Sequence, residues 1–216
     1  MVELSTNELW ERIKQIRDNG GGNIRVHPNG FIQVDLESVE ENWHASHKRG
    51  HSGAGVRLHV WNPPGYELPH QKTINEIHDH VFDMRSTVVH GRLTQLLYRF
   101  ITGSIETPTH ELYRAVYGKA SDSRLEPLGV YGTIEKYDWF EVDAKLGYNN
   151  PYAQPAFTFH DSWADECVVT VMEKLKIHDG DATVVCRINT APDNSFDRAA
   201  AVPAAYLWEA VESALR

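Results

Sequence analysis

The sequence predicts a mostly β domain, a sandwich or barrel, with a helix at each end. Three observations carry this. Short runs rich in β-branched and aromatic residues recur about every 8–12 residues between turn signals through the middle of the chain. Both ends show apolar residues at helical spacing instead. The 216 residues, 41% hydrophobic and 24% charged, suit a single domain with a real core.

In order, Ser5, Thr6 and Asn7 are N-cap residues for a helix over 7–18. Leu9, Ile13 and Ile16 form its stripe, Trp10 lies at the edge, and Asn19 with Gly20 to Gly22 ends it. Residues 23–35 read as a hairpin about His27-Pro28-Asn29-Gly30, because Asn-Gly favours the turn. His27 is structural beside that turn, and the hairpin is the candidate for homodimer contacts. Residues 37–55 form a polar loop, with a short helix at 39–43 and His44, His47 and His51 on a segment that could act as a lid. These pieces make an N-terminal region, 1–55.

The β region spans 56–190. Val56, Leu58 and Val60 alternate with Arg57, His59 and Trp61, and Asn62-Pro63-Pro64-Gly65 stops that strand. A second strand runs through His78 and His80 to a turn at Gly91. The next, 92–101, sets Leu96, Tyr98 and Phe100 opposite Gln95 and Arg99. Segments 110–117, 124–130, 132–137, 139–142 and 157–160 are shorter candidates. Residues 166–175 and 182–188 are joined by an Asp179-Gly180-Asp181 turn. The tail, 191–216, is helical from 197, with Pro203 near its start.

The net charge of −9 argues against nucleic acid as a partner. No run of 18 apolar residues offers a membrane span, and the N-terminus does not read as a signal peptide. Cys167 and Cys186 lie on apolar strand faces and read as buried free thiols, which fits a cytoplasmic location.

The chemistry concentrates in Ile74 to Gly91. On a strand, His78 and His80 share one face about 7 Å apart. Neutral imidazoles so placed can converge on one metal ion, and the nearby Asp83 can add charge and hardness. Ile77 and Val81 occupy the other face. Glu76 reads as a rim residue and His90 as structural.

The segment resembles the first motif of the cupin superfamily, G-x5-H-x-H-x3,4-E-x6-G, with the His80 to Gly91 interval matched. Pro155 and His160 have the separation of the second motif, G-x5-P-x-G-x2-H-x3-N. Lys72 stands for the first glycine, Met84 and Arg85 for the glutamate, Phe157 for the second motif's glycine and Ala164 for its asparagine. The resemblance covers about 56–188. It implies a jelly-roll barrel and one divalent metal on His78, His80 and His160, with Asp83 as ligand or as an outer partner of a histidine.

Such ligands leave open positions that suit Fe(II); manganese, nickel or zinc could use the same set. The expectation is therefore a mononuclear metal-dependent oxygenase or dioxygenase acting on a small polar organic molecule. A non-redox isomerase or lyase, or a non-catalytic ligand- or metal-binding barrel, are the alternatives. Trp61, Phe82 and Trp163 are candidate pocket walls, and Tyr98 and Arg99 candidate substrate contacts. No dedicated nucleophile, phosphate-cradling glycine loop or paired-cysteine motif is present.

Overall fold

A computed structural model describes residues 6–19, 23–27, 29–36, 55–68, 77–103, 106–116, 124–146, 151–190 and 202–216. The expected loop with His44, His47 and His51 (37–54), Lys72 and Glu76 lie outside these residues. Among the described residues the chain is mostly β, with two antiparallel sheets and two α-helices. Helix α1 is Thr6–Asp18 and α2 is Ala204–Leu215. The strands are β1 (Ile24–Val26), β2 (Ile32–Asp35), β3 (Val56–Trp61), β4 (Phe82–His90), β5 (Arg92–Ile101), β6 (His110–Val116), β7 (Arg124–Asp143), β8 (Tyr152–Gln154), β9 (Phe159–Trp163), β10 (Val168–Ile177) and β11 (Thr183–Arg187). One sheet runs β1-β2-β3-β10-β4-β8, the other β11-β6-β7-β5-β9.

Alternation along the strands divides the first sheet into two faces. Its outer face (Val26, Ile32, Val34, Leu58, Val60, Val89, Val169) packs on Leu9, Trp10 and Ile13 of α1 and on Leu207, Ala210, Val211 and Ala214 of α2. The apolar stripes of the terminal helices thus cover this sheet, which explains why both ends carry helical periodicity. Its inner face meets the second sheet: Phe82, Met84 and Met172 pack with Ala115, Leu125, Val184 and Cys186. Cys186 is buried and Cys167 partly so, both as free thiols.

The structure corrects the sequence reading in places. Val202 and Pro203, expected within the tail helix, precede its described start at Ala204, and the φ of −56° at Pro203 suits a helix start; the expected residues 197–201 lie outside the described ones. The three pieces expected across 124–142 are one strand, β7. Gly132 does not break it. A Cβ there would stand 2.3 Å from the Ile101 carbonyl oxygen, so glycine permits a close approach of β7 to β5. On β5 the expected alternation holds, but the polar-looking side is the inner one. Gln95 is fully buried, donating to the Tyr152 hydroxyl (2.9 Å) and accepting from Ser162 Oγ (3.0 Å).

Residues 77–80 are not a regular strand either. His78 makes isolated bridges to His160 on β9 and to Val184 on β11, and β4 begins only at Phe82. His78 and His160 exchange backbone hydrogen bonds (3.1 and 2.9 Å), Asp79 N–H donates to Thr183 O (3.0 Å), and Val185 N–H to Ile77 O (3.0 Å). Strands β9 and β11 are the two edges of the five-stranded sheet. The segment therefore divides its hydrogen bonds between both edges, which is why it cannot form a longer ladder with either.

Candidate metal centre

Three imidazoles meet where this segment crosses β9. His78, His80 and His160 each offer a ligand nitrogen, all within 4.8 Å of one another. Their ring centroids are 4.5 to 5.0 Å apart. Backbone pairing of His78 with His160 brings two of them together, and the two-residue step along the chain adds His80. The intervening Asp79 turns away. Its buried carboxylate accepts from Thr183 N–H and from Thr183 Oγ1 (2.8 Å), anchoring the segment to β11.

Burial, followed by the repulsion of His78, pushes the pKa of His160 down to about 3. Burial and the neighbouring His78 and His160 also hold His80 well below the usual imidazole value. Both rings are neutral near pH 7, as metal ligation requires. His160 is also oriented. Its Nδ1 is 2.9 Å from the Thr158 carbonyl, which only accepts, so Nδ1 carries the proton. The Gln154 amide is 2.6 Å from the same atom, and its buried Oε1 has no other partner among the described residues. A half-turn of the amide directs that oxygen to Nδ1–H. The Nε2 lone pair is then left for the cluster, the arrangement metal-binding histidines ordinarily show.

The donor set fits a divalent ion. Two nitrogens each about 2.1 Å from one ion lie at most about 4.2 Å apart, so the rings need only close slightly from their present spacing. Phe82 stacks on His80 (centroids 4.7 Å, interplanar 14°) and forms one wall.

The structure places the remaining candidates elsewhere. Asp83 is outside the cluster. Its carboxylate accepts from Ala156 N–H (2.9 Å) and faces His178 Nε2 (3.0 Å), and these two partners hold it below the usual carboxylate range. Tyr98 pairs with Phe159 and so lies on the sheet face opposite His160. Arg99 is exposed, with its guanidinium 4.5 Å from the Tyr137 ring centroid. Trp61 is buried against Phe31 (4.6 Å), and Trp163 is 53% exposed on the outer face of β9. Of the five pocket candidates only Phe82 abuts the histidines.

Sequence reasoning missed Gln154, Thr158 and the Asp79–Thr183 anchor. Gln154 precedes Pro155, a restriction that favours extended backbone, but its contact with His160 depends on tertiary placement. Phe157, which stands where the cupin motif has glycine, has φ of +59°, in the left-handed region glycine favours.

No family model matches the chain, and no curated protein does. Among solved structures it is similar to CapF, crystallised with the inhibitor 3-isopropenyl-tropolone: 13% identity and a TM-score of 0.38 over 74% of this chain and 33% of that one. The chain thus spans about a third of the CapF chain it matches. A likeness at that level bears on neither substrate nor reaction.

Proposed function

We propose that the chain is a cupin-like jelly-roll metalloprotein. It holds one divalent ion on His78, His80 and His160 and acts on a small polar organic molecule as a mononuclear metal-dependent oxygenase or dioxygenase. The observation that supports this most is the meeting of three imidazoles, one of them 80 or more residues away in sequence, within 4.8 Å. A divalent ion there would supply Lewis acidity and a template, and ferrous iron would add redox chemistry toward dioxygen. The chain's own part is orientation and shielding. Thr158 and Gln154 fix the His160 ring, Asp79 fixes the loop that carries the other two, and Phe82 keeps water from one side of His80.

One observation favours a second reading. With Asp83 engaged by Ala156 and His178, the described cluster is a three-histidine set without a carboxylate. Such a set also serves catalytic zinc, and a non-redox lyase or isomerase would use it without oxygen.

The test is elemental analysis of protein purified without chelator, beside His78→Ala and His160→Ala. About one metal per chain in the wild type, lost in both variants, is the expected result; iron supports the oxygenase and zinc the second reading. A wild-type protein that is metal-free and takes up neither Fe(II), Co(II) nor Zn(II) refutes the metalloprotein.

A further inference from the structure

We propose that the outer face of the second sheet, over β5, β7 and β9, is the contact between two copies of this chain. The inference stands apart from the reading of the imidazoles.

Strand register builds the face. His160 points inward to the other imidazoles, so its neighbours on alternate positions, Phe159 and Asp161, point outward. Asp161 pairs with Leu96 and Leu96 with Trp139, which makes one outward row. Phe159, Tyr98 and Lys136 make the next, and Phe100 beside Ile134 the one after. At the other end Trp163, Thr94 and Glu141 align. The rings of Phe100 and Phe159 lie 6.3 Å apart, so the two share a side. Leu93 and Gln95, on the inner side of β5, are fully buried.

The outward rows are apolar and open. Trp139 and Trp163 are 56% and 53% exposed. On side chains of about 250 Å² they alone offer about 270 Å². Lys136 and Glu141 are exposed and the remaining aromatic and aliphatic members half-buried. The whole face then offers about 600 Å² per copy, the low end of specific dimer contacts. The 23–35 hairpin, where the sequence suggested such contacts, buries Val26, Phe31, Ile32 and Val34 within the chain itself.

The pattern of the rows fits a copy of itself. A two-fold axis across the strands, between the Leu96 and Tyr98 rows, lays a second chain on the first with those rows exchanged. Leu96 then meets Tyr98, and the Lys136 ammonium meets the Trp139 ring, a cation over an aromatic face. The carboxylates of Asp161 and Glu141 fall opposite Phe159 and Ile134, so like charges do not face one another. Two identical sheets also share one twist, which lets them stack about 10 Å apart in the aligned packing of a β-sandwich.

Sedimentation equilibrium of as-purified protein, without chelator, tests this. Wild type is expected to pass from one chain mass to two with a dissociation constant of about 10 μM or tighter. Trp139→Lys removes the central aromatic and sets lysine against lysine, and should weaken the dimer at least about thirty-fold. Its urea midpoint, measured where both proteins are single chains, should match wild type, because Trp139 is exposed there. A wild type that stays one chain up to about 100 μM leaves the face to another molecule and overturns the inference. A dimer untouched by Trp139→Lys places the contact elsewhere and overturns it equally. If the variant does not fold, hydroxyl-radical footprinting of wild type decides. Trp139 should be oxidised more slowly in the dimer than after dilution, and equal rates would refute the contact.

Discussion

Gln154→Leu isolates the outer support of the metal centre. The substitution keeps the side chain's size and removes its amide from His160 Nδ1, 2.6 Å away. Nδ1–H still donates to the Thr158 carbonyl at 2.9 Å, so one of two restraints on the ring is lost and no polar hydrogen is left unpaired. Loss of such a support costs about 10–100-fold in metal affinity, and with Thr158 still in place the lower end applies. The dissociation constant for Co(II) should rise about tenfold, equivalent to about 1.4 kcal/mol. The metal-free protein should barely notice, because Leu fills the same buried space, Oε1 has no other hydrogen-bond partner among the described residues, and the remaining amide bond, Nε2–H to the Thr158 carbonyl, is long at 3.4 Å. Urea unfolding of the metal-free variant should match wild type within about 1 kcal/mol. Competition against a chromophoric chelator measures the affinity. Unchanged affinity refutes the orienting role. A tenfold loss accompanied by an equal loss of metal-free stability would mean that Gln154 supports the fold and not the ligand.

Three further outcomes are expected. Gly91→Ala should destabilise by at least about 3 kcal/mol in urea unfolding, because φ is +75° and the new Cβ would stand 2.2 Å from the Cys167 carbonyl oxygen. Phe157→Gly should raise stability by up to about 1 kcal/mol, since relief of the left-handed φ at a 44%-exposed side chain outweighs the added freedom of the unfolded chain. Burial raises the pKa of Asp35, but Arg25, Arg57 and the hydrogen bonds of Arg25 and Gln33 together bring it below 3.8. A carboxyl depressed in the folded state contributes stability above its unfolded pKa and loses it as pH falls through the folded value. Asp35→Asn should therefore cost about 2–4 kcal/mol at neutral pH, and the difference from wild type should shrink below pH 3.8. A pH-independent difference would refute the ion-pair account.

The parts legible in the sequence were those written locally. The α1 stripe, the 23–35 hairpin and the His78–His80 pair each depend on spacing within a few residues. His160 was reachable through its distance from Pro155. What failed depends on who sits beside a strand. Alternation showed that Gln95 and Leu96 face opposite ways, but only the pairing of β5 with β9 and β7 decides that Gln95 points inward. The same ambiguity covers Tyr98 and Trp163, since an aromatic residue on a strand looks equally suited to a pocket and to an outer face. Gly132 read as a break because a glycine that ends a strand and one that admits a neighbouring backbone look alike in sequence.

The short crossing that carries His78 and His80 also gives the centre a kinetic meaning. Four residues, 77–80, satisfy backbone groups on β9 and β11, which would otherwise be open strand edges. An ion gripping His78, His80 and His160 clasps that crossing to β9, joining residues far apart along the chain. Contacts of such long range close late in folding, so the ion should slow unfolding far more than it speeds folding. Its removal should loosen the crossing at β9 while the Asp79–Thr183 hydrogen bonds still hold it to β11, and the metal-depleted chain should reveal itself by self-association through the β9 edge before any loss of helix.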